Sequence, residues 1–420
     1  MTGLQEALSS GDRTLIGGAK QPYLERLVIN VSHDCNLRCT YCYADTGAYG
    51  SGRMTLSEPI GREIVDDFFA RFARIGKIQF FGGEPFLNVR GVESLCQYVT
   101  EVCQCQGVPV PAFTAISNGT IVNDRIIDLI NRYNLLVTVS LDGSRAVNDS
   151  HRVYANGKGS YQRVIENIRR MKERTGQPLQ IEGTYTARHV EMRFSLAEFM
   201  RFIAGELDVH SLHMPWIVGH AYQGTGIDPT EENIAHVTAV YCEAASASLM
   251  SLQTPQLEDT ILLSAAERFL RRERSGDGNK RRHICPAGSG TLSVGADGKI
   301  SPCFMFTNNA QFEFGRVGRR EDDEFEHRRS TFMKRLEIPE GENGRSFEIG
   351  AACAGQNFEL SGQIDHVTAA NRQIQIALDA HLENEIARIK ADQDLWEWMQ
   401  TKLLLNQMQM SREIITTTGC

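Results

Sequence analysis

The chain has 420 residues, 41% of them apolar and 23% charged, with a formal net charge of −8. That composition describes an ordinary globule long enough for two or three domains, and it excludes fibrous, collagen-like and wholly disordered chains. The acidic balance argues against nucleic acid or an anionic membrane as the main partner. No window supplies the roughly 20 consecutive apolar residues of a spanning helix, and MTGLQEALSSGDR lacks a signal peptide's apolar centre, so the protein is expected in the cytoplasm. There its 11 cysteines are expected as free thiols or metal ligands rather than a disulfide framework.

Residues 1 to about 22 are polar and turn-rich. Short apolar runs then predict strands at 27–31, 78–81, 113–116, 135–140, 181–185 and 211–214, with helices near 57–75, 91–105, 122–131, 160–173 and 194–204. Alternation with crossovers this long implies a mainly parallel sheet of about six strands, either a barrel or partial barrel or a doubly wound sheet. A loop at 219–232 leads to helices near 232–251 and 258–273 and to the polar stretch RRERSGDGNKRR. Thr291 to Val294 and Lys299 to Ser301 flank Asp297-Gly298, a strong hairpin signal. The acidic EDDEFE at 321–326 reads as a solvated loop, and the last 50 residues read as helical.

The sharpest feature follows the first strand, where HDCNLRCTYCYAD places Cys35, Cys39 and Cys42 in a C-x3-C-x2-C frame. With 11 cysteines in 420 residues such a frame arises by chance about 0.007 times, which favours metal ligation over coincidence. Soft thiolates suit Zn or Fe–S centres. Three of them around a four-iron cubane leave one iron open, whereas a closed zinc site needs a fourth ligand, and His33 sits too near Cys35 to be the usual partner.

This loop resembles that of the radical S-adenosylmethionine (SAM) enzymes, C-x3-C-x-aromatic-C, with Tyr41 at the aromatic position. The resemblance implies an α/β fold: a partial (β/α)6 TIM-like barrel, followed by a small α+β auxiliary-cluster domain and C-terminal helices. It also implies a [4Fe–4S] cluster on Cys35, Cys39 and Cys42 whose open iron binds SAM, and a 5′-deoxyadenosyl radical that abstracts hydrogen from the substrate. Tyr41 and Tyr43 would line the adenine side. FFGGEP at 80–85 resembles the family's GGEP motif, so Gly82, Gly83 and Glu84 are expected at the methionine amino group. Ser117, Asn118 and Ser140, at the ends of later strands, are expected around ribose and carboxylate. Arg188 is a candidate for the SAM carboxylate or an ordinary surface arginine. The run after Ser140 resembles that of peptide- and protein-modifying members, which puts Asp142 either facing a substrate amide or capping the turn at Gly143, with Asn148, Asp149, His151 and Arg152 extending the rim.

Cys285 and Cys303 flank the predicted hairpin, and C-x12-G-x4-C with Pro302 before Cys303 resembles the start of a SPASM or twitch auxiliary Fe–S domain. ACAGQNFELSGQI resembles a remnant of its later half, keeping Cys353 and lacking the neighbouring cysteines, so at most one conventional four-cysteine auxiliary cluster fits. Cys285, Cys303 and Cys353 are its expected ligands; Cys420, a non-cysteine residue or the substrate would complete it. The expected domains are an N-terminal extension at 1–23, the radical SAM core at 24–230, a helical bridge at 231–284, the auxiliary-cluster domain at 285–370 and a helical region with its tail at 371–420.

The expected activity is that of a peptide maturase installing an intramolecular thioether or carbon–carbon cross-link in a ribosomally made precursor peptide, with Cys303 and Asp142 as catalytic candidates. The alternatives are a radical SAM dehydrogenase or oxidase of a protein side chain or small alcohol, and a non-catalytic electron-transfer module. Expected partners are the precursor peptide, a flavodoxin- or ferredoxin-like reductant and, since too few residues precede the first strand for a leader-binding domain, a separate leader-recognition protein; neither nucleic acid nor membrane is expected.

Overall fold

The computed structural model describes residues 23–219, 224–275, 283–319, 322–338 and 353–415. Its first strand, β1 (Tyr23–His33), carries Leu27, Val28, Ile29 and Val31 without exposed surface, because both faces of the strand are covered. A short strand β2 (Met54–Thr55) pairs antiparallel with its end. Helix α1 (Glu58–Arg71) crosses to β3 (Arg74–Gly82), α2 (Val89–Gln106) to β4 (Ala112–Ser117), and α3 (Asp124–Tyr133) to β5 (Leu136–Ser140). Two helices, α4 (Arg145–His151) and α5 (Tyr161–Thr175), precede β6 (Gln180–Glu182). Two more, α6 (Ala187–Glu191) and α7 (Leu196–Leu207), precede β7 (Ser211–His213). The helices begin and end where their backbone groups find partners. Asn88, Asn123 and Ser195 accept from first-turn N–H groups, and left-handed Gly107, Asn134, Gly176 and Asp208 close the last turns.

Strands β1, β3, β4, β5, β6 and β7 lie parallel and side by side in chain order. This is a partial barrel; a doubly wound sheet would reverse its strand order. After α8 (Glu231–Gln253) the chain departs from the expected helix at 258–273. Leu262 and Leu263 form β8 (Leu262–Leu263), a further parallel strand on β7, and α9 (Ser264–Ser275) begins only there.

The hairpin of β9 (Thr291–Val294) and β10 (Lys299–Ser301) joins the same sheet, since β9 pairs parallel with β1 from Arg26↔Thr291 to Ile29↔Val294. A final strand, β11 (Gly315–Arg316), extends it beyond β10. The sheet thus runs straight through the boundary expected at 285, because β9 satisfies the backbone groups that the edge of β1 would otherwise leave unpaired. Buried Asn30 fastens the seam, donating to Ser293 Oγ (3.2 Å) and Thr307 Oγ1 (3.0 Å).

The acidic run expected as a loop falls largely within α10 (Asp322–Arg335). Buried Phe325 and Phe332 dock this helix while its charged side chains point outward, Glu324 pairing with Arg328. Helices α11 (Ala354–Ser361), α12 (Ala369–Lys390) and α13 (Gln393–Ile415) complete the chain, the last two matching the expected helical end. Lys402 fastens α13 to α8. It is fully buried, and its Nζ donates to the carbonyls of Ser251 (2.8 Å) and Thr254 (3.0 Å), placing a cation against the negative end of the helix. Among the described residues no helix is long and apolar enough to cross a membrane. The N-terminal extension, much of the polar stretch after α9, and Cys420 lie outside the described residues.

Candidate functional site

The barrel and the hairpin enclose a cavity of about 520 Å³, a size suited to a small cofactor and part of a substrate. Cys35, Cys39 and Cys42 line it from the loop after β1, and Cys285, Cys303 and Cys353 line it from the segments around the hairpin. Tyr43 stands between the two sets, its phenol feeling both Cys42 and Cys303. Phe304 packs against Tyr43 (centroids 6.3 Å apart) and Phe81 (4.6 Å), forming an aromatic wall that keeps water from the space between the sets.

The donor chemistry fits iron–sulfur clusters at both places. Burial lifts the Cys35 thiol to about 12 and Cys39 to about 11, and neighbouring thiols raise both further. In the second set burial raises Cys285 to about 11 and pushes Cys303 and Cys353 up as well. Such grouped, desolvated thiols release their protons on taking up a metal cluster. Backbone N–H groups already face the sulfurs: Leu37 donates to Cys35 Sγ (3.4 Å), Met305 to Cys303, and Gly355 and Gln356 at the start of α11 to Cys353. Donors of this kind stabilise ligated thiolates and tune a cluster's potential. No three described His, Cys, Asp or Glu side chains close around a single metal ion, so the thiols face a wider space than the about 3.8 Å sulfur separation of a one-zinc site.

Helix α11 is held in register by the barrel, which fixes Cys353 at its N-terminus. Gln356 Nε2 donates to the Trp216 carbonyl (2.9 Å), and Trp216 Nε1 donates to Asn371 Oδ1 (2.9 Å). Arg26, donating to Thr291 Oγ1 (3.2 Å), favours the thiolate forms of all three cysteines of this set.

Tyr41, Gly82, Gly83, Ser117, Asn118 and Ser140 all line the cavity, as the motifs led one to expect. Asn118 also reaches the first set, its Nδ2 lying 3.7 Å from Cys35 Sγ. At Gly83 a Cβ would lie 2.3 Å from the Asp34 carbonyl, and at Gly82, with φ of +129°, 2.2 Å from the Ser32 carbonyl. Only glycine lets this turn close against the end of β1.

Three expectations need correction. Glu84 does not offer its carboxylate to a ligand: it is fully buried, Oε1 accepting from Phe86 N (3.0 Å) and Ser117 Oγ (2.9 Å) and Oε2 from Asn118 N (2.7 Å). It ties the ends of β3 and β4, leaving the cavity face to the glycine backbone. Asp142 is not at the mouth but fully buried, paired with Arg152 Nε (3.1 Å) and accepting from Tyr41 OH (2.5 Å) and Thr184 N (3.1 Å). It locks the cysteine loop onto the barrel. Arg188 is exposed and pairs with Glu191 (3.0 Å) at the next turn of its own helix, away from the cavity.

Asp142→Ala would leave Arg152 buried beside no carboxylate, and an uncompensated buried charge costs about 3–5 kcal/mol. The expected result is a loss of that size in denaturant-derived stability; a loss below about 1 kcal/mol would show that Arg152 finds another partner.

The motifs gave no role to Arg26, Glu182, His213, Arg268 or Gln356, all of which line the cavity. The available signal was charge inside otherwise apolar strands, as in ERLVINV and QIEG.

Fold and site together define an α/β enzyme built on a partial parallel barrel with C-terminal helices and two thiol sets on one cavity. Residues 29–203 match the Radical SAM superfamily, and the chain is a radical SAM enzyme related to the SPASM-domain maturases of sulfatases and ribosomally made peptides. It is 28% identical over 192 residues to a cysteine-type anaerobic sulfatase-maturating enzyme of Clostridium novyi (strain NT), covering 43% of this chain and 50% of that one. The chain spans about half the length of the curated relatives it matches. Its fold resembles that of anSMEcpe with bound AdoMet at a TM-score of 0.69 and 15% identity, covering 90% of this chain and 98% of that one. It also resembles Streptococcus suis SuiB bound to precursor peptide SuiA, with a TM-score of 0.54 and 15% identity, over 83% and 76% of the two chains. A SAM-binding [4Fe–4S] cluster is typical of these enzymes.

Proposed function

We propose that this enzyme oxidises a side chain of a protein or peptide by two electrons, with Cys35, Cys39 and Cys42 holding the SAM-binding cluster and Cys285, Cys303 and Cys353 holding one auxiliary [4Fe–4S] cluster. The observation that carries the reading is the single cavity lined by both cysteine sets. Bound there, the reduced cluster and SAM supply the 5′-deoxyadenosyl radical that takes a hydrogen atom from the substrate. The protein's own part is to position and to exclude water. The backbone of Gly82 and Gly83, Ser140 and the ring of Tyr41 shape the SAM end, while Tyr43, Phe81 and Phe304 shield the path between the sets. The core is assigned to 24–230, the bridge to 231–284, the auxiliary segment to 285–370 and the helical end to 371–420.

The cross-link expected from the sequence gives way here to side-chain oxidation. The sulfatase-maturating relative and the near-complete coverage of anSMEcpe support oxidation better than the partial coverage of SuiB supports cross-linking. The substrate partner is then a protein or peptide segment, and a flavodoxin- or ferredoxin-like protein delivers the electron.

Anaerobic turnover with synthetic peptides carrying one central cysteine or serine tests the reading. The expected product has lost two hydrogens at that single residue, as a carbonyl that a hydrazide captures. A product with the same mass loss but an unbroken, fragmentation-resistant loop would return the assignment to cross-linking.

A further inference from the structure

Between the two cysteine sets the cavity contains a single carboxylate among the described residues, that of Glu182. It ends β6 in register with Ser140 on β5 and His213 on β7, so the three side chains form a row across the sheet, and all three line the cavity. The strand end is rigid, because the Glu182 carbonyl accepts from Leu141 N (2.8 Å). The side chain differs from the two other acids nearby. Glu84 and Asp142 are consumed by internal hydrogen bonds, whereas the Glu182 carboxylate has no hydrogen bond or ion pair to any described residue. It stands deep in the barrel with its free surface toward the place where a substrate must lie.

We propose that Glu182 is the proton acceptor of the oxidation, receiving the S–H or O–H proton of the substrate side chain. The inference rests on the two-electron oxidation proposed above. In that reaction a side chain R–CH2–XH gives one hydrogen atom from carbon to the 5′-deoxyadenosyl radical, forming 5′-deoxyadenosine. The remaining R–CH•–XH becomes R–CH=X by losing the proton on X to the Glu182 carboxylate and one electron to an oxidised cysteine-ligated iron–sulfur cluster. The electrostatics suit the task. Burial raises the Glu182 carboxyl to about 7 against the opposing pull of Arg152 and Arg26, with Asp142 adding to the rise. Its register neighbour His213 is held to about 4 by burial, helped by Arg268, so it stays neutral across the working range. An acceptor poised near neutrality both takes and releases protons efficiently. The sign follows: the raised carboxyl is protonated and inactive below pH 7, so product formation rises as pH passes upward through about 7.

Glu182→Gln keeps the shape and sacrifices no observed hydrogen bond, so its thermal unfolding should match the wild type. With the central-cysteine peptide as probe, the ratio of 5′-deoxyadenosine to oxidised peptide is expected to rise about 100-fold in E182Q, the usual weight of a general base. E182D should restore part of the coupling, and the rise of wild-type product with pH should be absent in E182Q. Difference infrared spectra of the protein before cluster loading supply an independent readout: a carboxyl band titrating near neutrality in the wild type and missing in E182Q. Coupled turnover by E182Q with an unchanged pH profile, or absence of that band, overturns the acceptor role and leaves the oxidation standing. Failure of wild-type enzyme that cleaves SAM to oxidise any cysteine or serine peptide overturns the oxidation itself, and the acceptor role with it.

Discussion

Replacing Cys35, Cys39 and Cys42 together with alanine is expected to abolish reductive formation of 5′-deoxyadenosine after anaerobic reconstitution, below detection rather than by a modest factor. The three thiols come from one loop, line one end of the cavity and sit where Tyr41, Asp142 and Arg152 clamp that loop to the barrel. Without the thiolates there is nothing to hold a cluster with an iron open to SAM. The loop itself should survive, since its anchors are backbone bonds from Arg38 N to Val153 O (2.7 Å) and from Thr40 N to His151 O (3.1 Å), which the substitutions leave intact. The triple variant should therefore stay folded by circular dichroism, and retained SAM cleavage would sink the assignment of these cysteines.

The second large effect is expected at the other end of the cavity. If Cys285, Cys303 and Cys353 hold one auxiliary cluster, reconstituted wild type should carry about eight iron atoms and the C35A/C39A/C42A variant about four. Cys303→Ala should then lower oxidised peptide far more than it lowers 5′-deoxyadenosine, because the two cysteine sets serve different steps. Loss of a cluster can also remove structural support, so the comparison is made on the fraction that remains folded. The barrel should hold, since β9 keeps its pairing with β1 without any thiol. A wild-type count near twelve would mean that further ligands lie outside Cys285, Cys303 and Cys353. A folded C303A enzyme with normal iron and full product would remove Cys303 from ligation and catalysis alike.

The fold was legible where a local pattern carries it. Apolar runs such as LVINV and the capped amphipathic stretches between them specify strand and helix without knowledge of the partner, because burial on a period of two or 3.6 is a property of the segment. The acidic run at 321–326 misled because its charges outnumber Phe325, whose docking makes the helix worth forming. Leu262 and Leu263 are too short a run to read as a strand until β7 offers an edge to pair with. The hairpin was legible from Asp297-Gly298, but its attachment to β1 was not, since strand pairing between residues more than 260 positions apart leaves no local trace.

The same division runs through the site. By itself the sequence determined the chemistry: thiolates spaced on one short loop are neighbours in any fold, so Cys35, Cys39 and Cys42 announced a cluster before any coordinate. Only the tertiary structure decided which carboxylates are free to act. Glu84, Asp142 and Glu182 are equivalent as residue types, yet two are saturated by donors brought from other strands and loops, while the third faces the cavity unpartnered. Likewise Arg188, the arginine at the expected place in the order of motifs, lies exposed outside, and Arg26 and Arg152 reach the cavity instead. The physical reason is that a charged group's role depends on the hydrogen bonds and dielectric around it, and both are assembled from residues distant in the chain.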